Sequence, residues 1–171
     1  MSEDEIARLI EPLIPGLRRY AYGLMRDNAA ADDLVQDCLE RAVGRWHLRR
    51  PDGNLRAWLY TILRNLHLSA LRQGRRRGEH IGLDDMTETD GVDGGQLDKA
   101  GFRDVMNGIG ALSDEHRTVL LLVGVEDLSY EETAKVMGLP IGTVMSRLSR
   151  ARERLRTYLD HGVKPNLRRV K

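Results

Sequence analysis

The side chains best placed to do chemistry are arginines near the end of the chain. Arg147, Arg150, Arg152, Arg154 and Arg156 crowd one stretch, opposed only by Glu153 and Asp160. Guanidinium groups at that density suit phosphate oxygens and the edges of bases. The stretch that carries them reads as two short helices across a tight turn. Ser129 and Glu132 stand at capping-box spacing, so a helix should start there. Gly138 suits a left-handed position past the end of that helix, and Pro140 can open the next one without needing an N–H. From Ile141 onward, Val144, Leu148, Ala151 and Leu155 recur at helical steps and define one inward face. A short helix, a glycine-containing turn and a basic second helix predict a helix-turn-helix. An ordinary helical hairpin with a solvated arginine face has the same spacing.

A second group lies between Asn54 and Gly78, where there is no lysine and no acid. Asn54 can cap a helix whose inward face is Leu55, Trp58, Leu59, Ile62, Leu63, Leu66 and Ala70. Its outward positions are Arg56, Tyr60, Arg64, Asn65, His67 and Arg72, followed by Arg75, Arg76 and Arg77. Aromatic and amide groups interleaved with arginine can stack on bases, read their edges and hold phosphates. A third group is acidic. A helix opened by Asn28 buries Leu34, Val35, Cys38, Leu39, Ala42, Val43 and Trp46, and turns Asp32, Asp33, Gln36, Asp37 and Glu40 outward. That face is either solvated or a docking surface for a basic partner.

The elements that must position these groups are all helical, because no useful length of the chain alternates at period two. Ser2 can cap a first helix towards Ile14, with Pro15-Gly16 as an interruption and Leu17 to Arg26 as the continuation. His47 to Asn54, with Pro51 and Asp52-Gly53, reads as a loop. A helix around Asp98 to Ile109 and another capped by Ser113 precede the helix-turn-helix. Across 171 residues the net charge is only +1, but it is unevenly spread. Residues 1–78 carry +4, residues 79–98 carry −7 and residues 99–171 carry +4. Two basic blocks flanking an acidic, glycine-containing segment predict two domains joined by a flexible tether, with polyanions as partners. The expected boundaries are 1–78, a linker at 79–97, a second domain at 98–160 and a basic tail at 161–171.

A single cysteine, Cys38, rules out an internal disulfide and sits on an apolar stripe as a core residue. No nucleophile–base pair, metal-ligand spacing or phosphate-binding glycine loop stands out, so no enzyme, cofactor or metal is expected. Neither a signal peptide nor a membrane span is evident, so a cytoplasmic, nucleoid-associated location is expected.

Two separate blocks then match one family. Ala31-Asp-Asp-Leu-Val-Gln-Asp-Cys38, with Asn54-Leu-Arg-Ala-Trp-Leu-Tyr-Thr-Ile-Leu-Arg-Asn65, resembles region 2 of the extracytoplasmic-function sigma factors. Leu112-Ser-Asp-Glu-His-Arg-Thr-Val-Leu-Leu-Leu122, Leu128-Ser-Tyr-Glu-Glu-Thr-Ala134 and Gly142-Thr-Val-Met-Ser-Arg-Leu-Ser-Arg-Ala-Arg152 resemble region 4. The resemblance implies a promoter-specificity subunit of bacterial RNA polymerase. Asp32, Asp33, Gln36 and Asp37 would dock on the clamp helices of the largest polymerase subunit. Arg49, Arg50, Asn54, Arg56, Tyr60, Arg64 and Asn65 would open and hold the −10 element, where a base leaves the stack. Trp58 aligns there too, but its place on the inward stripe assigns it to the core. Thr143, Ser146, Arg147 and Arg150 would reach base edges in the −35 major groove, with Arg154 and Arg156 on phosphates. The acidic tether would thread towards the RNA exit path. Pro140 departs from the polar cap common at this turn.

The second block is similar to the alphaproteobacterial general-stress-response type, which implies control by an anti-sigma factor wedged between the domains. Two alternatives remain at this point. One is a sigma-mimicking protein that only sequesters an anti-sigma factor; the other is a conventional helix-turn-helix regulator, which leaves the first block unexplained.

Overall fold

The computed structural model describes residues 1–76 and 99–161. The expected tether at 79–97 and the tail beyond His161 lie outside the described residues. All regular structure among the described residues is helical, which is the all-α class the periodicity predicts.

The first block runs α1 (Glu3–Ile10), a 3₁₀ turn (Glu11–Leu13), α2 (Ile14–Met25), α3 (Asn28–Gly44), a second 3₁₀ turn (Trp46–Leu48) and α4 (Leu55–Arg76). Ser2 and Glu5 close a reciprocal capping box at the start of α1. The interruption expected at Pro15-Gly16 falls earlier. Pro12 withdraws an N–H and tightens the chain into the 3₁₀ turn, whereas Pro15 sits in the first turn of α2, where no partner is needed. Helix α2 ends on Arg26 in the left-handed region, φ 56°. Helix α3 then starts at Asn28 as expected, capped by Asp27, which accepts from the Ala30 N–H at 3.1 Å. Asn54 caps α4 as expected, accepting from the Ala57 N–H at 3.1 Å. Between α3 and α4 the buried Cys38 thiol donates to the Leu59 carbonyl, and burial pushes its pKa up to about 12, in keeping with a core residue. Trp58 is half-buried and meets Trp46 edge-on at 6.0 Å. Val43 and Ala70, expected inward, are exposed.

The second block runs α5 (Lys99–Gly110), α6 (Asp114–Leu120), a π-helical turn (Leu121–Val125), α7 (Tyr130–Met137) and α8 (Ile141–Asp160). Ser113 caps α6, and Arg117 reaches back to the carbonyls of Ile109, Gly110 and Leu112, satisfying the end of α5. Ser129 and Glu132 form the capping box of α7, Gly138 ends it at φ 64°, and Pro140 precedes α8. Val144, Leu148 and Ala151 are buried, so α8 packs on the stripe read from the sequence. The π-helical turn is absent from the periodicity. Its wider loop lets Leu121 and Leu122 both stay buried while Glu126 is turned into the protein.

The two blocks pack on each other. Helix α2 lies against α5, α6 and the π-helical turn, and α4 lies against α7. Gly23 is where α2 meets the turn: a Cβ there would stand 2.7 Å from Leu121 Cδ2. Tyr20 and Tyr60 stack edge-on at 5.3 Å beneath this contact. Tyr60 and His67, expected to face outward from α4, are 1% and 3% exposed. Their face of α4 is covered by the second block, a layer that the period of one helix cannot register.

Two outcomes follow from this packing. Ser129→Ala removes the capping hydroxyl and should lower stability by about 1 kcal/mol in urea unfolding, with the fold retained. His67 has no hydrogen-bond partner for either ring nitrogen among the described residues. Burial first, with Arg117 and Arg64 nearby, lowers its pKa below the ordinary value, and Asp114 opposes this. The unfolded chain therefore takes up the proton more readily, and stability should be lost as pH falls below about 6.5. Urea midpoints at pH 7.5 and 5.5 should separate more for the wild type than for His67→Leu.

Candidate nucleic-acid and polymerase interfaces

Helix α8 presents its arginines on two flanks. Arg147, Arg150 and Arg154 gather beside α6, where all three, after burial, help push the His116 pKa down, with Glu115 opposing. Arg147 also pairs with Glu115 at 3.5 Å, while Arg150 and Arg154 are exposed. Thr143 and Ser146 occupy the first turns of the same helix; the Ser146 hydroxyl donates to the Thr143 carbonyl at 3.1 Å. Arg156 stands apart. With Tyr130, Met145, Ser149, Arg152 and Glu153 it lines a shallow groove between α7 and α8. The expected −35 set is thus divided: Thr143, Ser146, Arg147, Arg150 and Arg154 share one side, and Arg156 does not join them.

On α3 the expected polymerase-binding residues are brought together. Asp32, Asp33, Gln36 and Asp37 are all exposed along one side of the helix. Asp32 makes a loose, exposed pair with Arg18 at 3.7 Å, and Gln36 donates to Glu40 at 3.3 Å. Pairs this open to water contribute little to stability, so the face remains free to exchange partners.

The residues expected at the −10 element are dispersed by comparison. Arg50 and Asn65 are exposed. Arg49 folds back over the Trp46 ring at 4.6 Å and donates to the carbonyls of Arg50 and Gly53, so it holds the 49–53 loop in shape. Arg64 is half-buried. Asn54, Arg56 and Tyr60 are engaged by the second block. Tyr60 OH donates to Glu126 Oε2 at 2.8 Å, Arg56 donates to the Glu126 carbonyl, and Asn54 Nδ2 donates to Glu132 Oε1 at 2.7 Å. Tyr60 on an outward face of α4 is therefore a correction: the second block seals it off. Its pKa is raised by burial and then by the Glu126 carboxylate, which keeps the phenol a donor. The Glu132 carboxyl is held below the usual carboxylate range, first by the Ser129 N–H, with Asn54 adding to the effect.

Sequence reasoning missed the residue at the middle of this arrangement. The Glu126 side chain is fully buried and accepts from Arg19 Nε and Nη2, each at 3.2 Å, as well as from Tyr60. Arg26 makes a second bridge, donating to the Met106 carbonyl at 2.9 Å and to Asn107 Oδ1 at 2.8 Å. The available signal was a carboxylate closing the apolar run Val119 to Val125. No cluster of three metal-ligating side chains occurs among the described residues, and no helix there is long and apolar enough to cross a membrane.

Two family models match separate parts of the chain. The family model described as "Sigma2 domain of PhyR" matches residues 10–64, and that described as "Sigma-70, region 4" matches residues 102–155. The ECF RNA polymerase sigma factor EcfG of Rhodopseudomonas palustris is 38% identical over 156 residues, spanning 91% of this chain and 86% of the relative. Among solved structures, the sigma factor RpoE from Bartonella quintana, in complex with the anti-sigma factor NepR, superposes with a TM-score of 0.77 at 34% identity, over 91% of this chain and 97% of that one. PhyRSL of Sphingomonas sp. Fr1, solved with NepR, shares the fold, with a TM-score of 0.63 at 20% identity over 92% of this chain and 88% of that one. The chain belongs to the extracytoplasmic-function sigma factors of the sigma-70 family.

Proposed function

We propose that this chain binds core RNA polymerase and directs it to promoters, with residues 1–78 as the core-binding and −10 unit and residues 98–160 as the −35 unit. The observation that carries this reading is the pairing of two exposed surfaces of opposite charge on different blocks. The acidic side of α3 has the chemistry to meet a basic polymerase surface. The arginine side of α8 has the chemistry to meet duplex DNA. Thr143, Ser146, Arg147 and Arg150 would read base edges, and Arg154 would hold phosphate. Arg156, on the other flank, fits at most a backbone contact. Arg50, Asn54, Arg56, Tyr60, Arg64 and Asn65 would handle the −10 strand, with Arg49 shaping the loop beside them. The linker at 79–97 would follow the path of the nascent RNA, and the protein would act at the nucleoid in the cytoplasm. Such a chain acts as a regulator of transcription and carries no catalytic site of its own.

Control by an anti-sigma partner is part of the proposal, because the RpoE neighbour was solved with NepR and matches nearly the whole chain. The match of residues 10–64 to the sigma domain of PhyR favours a second reading, in which the chain only captures an anti-sigma factor. The exposed arginines of α8 and the 38% identity to EcfG favour the first.

Run-off transcription with core polymerase, without any anti-sigma protein, distinguishes the two. A promoter-specific transcript is expected; its absence from every promoter mapped for this chain sinks the sigma reading. Arg147→Ala and Arg150→Ala should each reduce that transcript by about tenfold or more if each removes a base contact. Asp33→Ala with Asp37→Ala should instead slow association with core and weaken its dependence on salt, measured by fluorescence anisotropy of labelled chain.

A further inference from the structure

Three of the groups assigned above to −10 recognition, Asn54, Arg56 and Tyr60, are already bound, and what binds them resembles a nucleotide in its acceptors. A melted strand offers charged phosphate oxygens and neutral carbonyl oxygens of bases. Glu126 offers one of each: its carboxylate accepts from Arg19 and Tyr60, and its main-chain carbonyl accepts from Arg56. Glu132 adds a second carboxylate, on Asn54. The fit is close. Gly16 lies beside the junction, and a Cβ there would stand 2.6 Å from Tyr60 OH and 2.8 Å from Glu126 Oε2. We infer that Glu126 is an intramolecular lock: it holds the second block over the −10-reading side of the first and masks Asn54, Arg56 and Tyr60 from single-stranded DNA until the two blocks part. This rests on the sigma reading proposed above and adds to it a self-masked free state.

The energetics suit a device that opens. A buried ion pair adds little net stability against its separated, hydrated partners, but it is demanding about geometry. Arg19 is 54% exposed while Glu126 is fully buried, so only one partner has to be rehydrated from the interior when the blocks separate. The Asn54–Glu132 bond is exposed and exchanges readily with water. Opening therefore asks for hydration of Glu126, release of Arg26 from Met106 and Asn107, and exposure of the apolar contacts around Gly23 and Leu121 and between α4 and α7. A partner that grips both blocks, as core polymerase would, can supply that from many contacts at once.

The test uses the full chain with two substitutions that leave the DNA-reading groups intact. Glu126→Gln keeps the shape but sets an amide N–H₂ against the Arg19 guanidinium. Gly16→Ala changes no charge, favours the helix and places a methyl group in the junction. Spin labels at Ala29→Cys and Thr157→Cys, both exposed helical positions, report the separation of the blocks. Cys38 is fully buried and should remain unlabelled. The wild type should give one narrow distance. Both variants should add a longer, broader population, and their affinity for a fluorescein-labelled single-stranded −10 oligonucleotide, without polymerase, should rise about tenfold. Arg56→Ala added to Gly16→Ala should remove that gain. Unchanged distances in both variants, or longer distances with no gain in oligonucleotide affinity, overturn the lock. Melting followed by circular dichroism checks that the variants are folded. A parallel run-off assay of the wild type with core polymerase separates failure of the lock from failure of the sigma reading, since the distances do not depend on DNA.

Discussion

A carboxylate taken wholly out of water has to be met by donors, and Glu126 sets that condition where the two blocks join. Its solution draws on three elements. Arg19 comes from α2, Tyr60 from α4, and the π-helical turn of the second block delivers the carboxylate itself. The apolar surroundings are arranged to match. Gly16 leaves room for the carboxylate, Gly23 lets Leu121 sit against α2, and Tyr20 closes the space below Tyr60. Without the donors, burying Glu126 would cost several kcal/mol, and the turn would have no reason to point inward. The relative placement of the blocks is thus organised around this charged group, with the Arg26 bridge and the α4–α7 packing beside it, while each block keeps its own helical stripes.

That choice divides the charged groups of the molecule into two classes. Those at the junction are coordinated: Arg19, Arg26, Arg56 and Glu126 all have fixed partners across it. Those on α3 and on the α6-facing side of α8 lie at the surface, in open pairs such as Arg18 with Asp32 at 3.7 Å and Arg147 with Glu115 at 3.5 Å. Exposed pairs are worth a fraction of a kcal/mol and are lost without penalty when a better partner arrives. Junction pairs are worth little in net stability but carry most of the orientation. The chain therefore separates the charges that hold its shape from those available for binding, although Arg56 belongs to one class in this state and would belong to the other once bound to DNA.

Much of this was legible in the sequence, because helices write their packing at a period of 3.6 residues. The stripes Leu34–Val35–Cys38 and Val144–Leu148–Ala151 are buried as read, and the caps at Ser2, Asn54, Ser113 and Ser129 are where the side chains required them. The failures share a cause. Tyr60 and His67 sit off the main stripe of α4, so they read as outward, yet a second domain covers them. Periodicity reports which side of a helix is apolar, not which amphipathic side chains a later part of the chain will shield. The break near Pro12 went to Pro15 for a related reason: both are prolines, and only their position relative to the missing N–H separates them. The π-helical turn had no signal in the apolar run Val119 to Val125, since every register of that run looks buried.

The same limit governs the site. Composition and spacing identified the arginines of α8 and the acids of α3, because an exposed charged face owes nothing to the rest of the fold. The group proposed for the −10 strand was legible as chemistry but not as a state. Asn54, Arg56 and Tyr60 are suited to bases and phosphates, and those same donor properties let them satisfy Glu126 and Glu132. A surface rich in donors cannot be left dry beneath another part of the chain, so a chain that closes over such a surface must supply acceptors from within. Glu126 meets that requirement with its carboxylate on Arg19 and Tyr60 and its carbonyl on Arg56, and for this reason the closed arrangement and the proposed −10 surface have to be understood as one piece of chemistry.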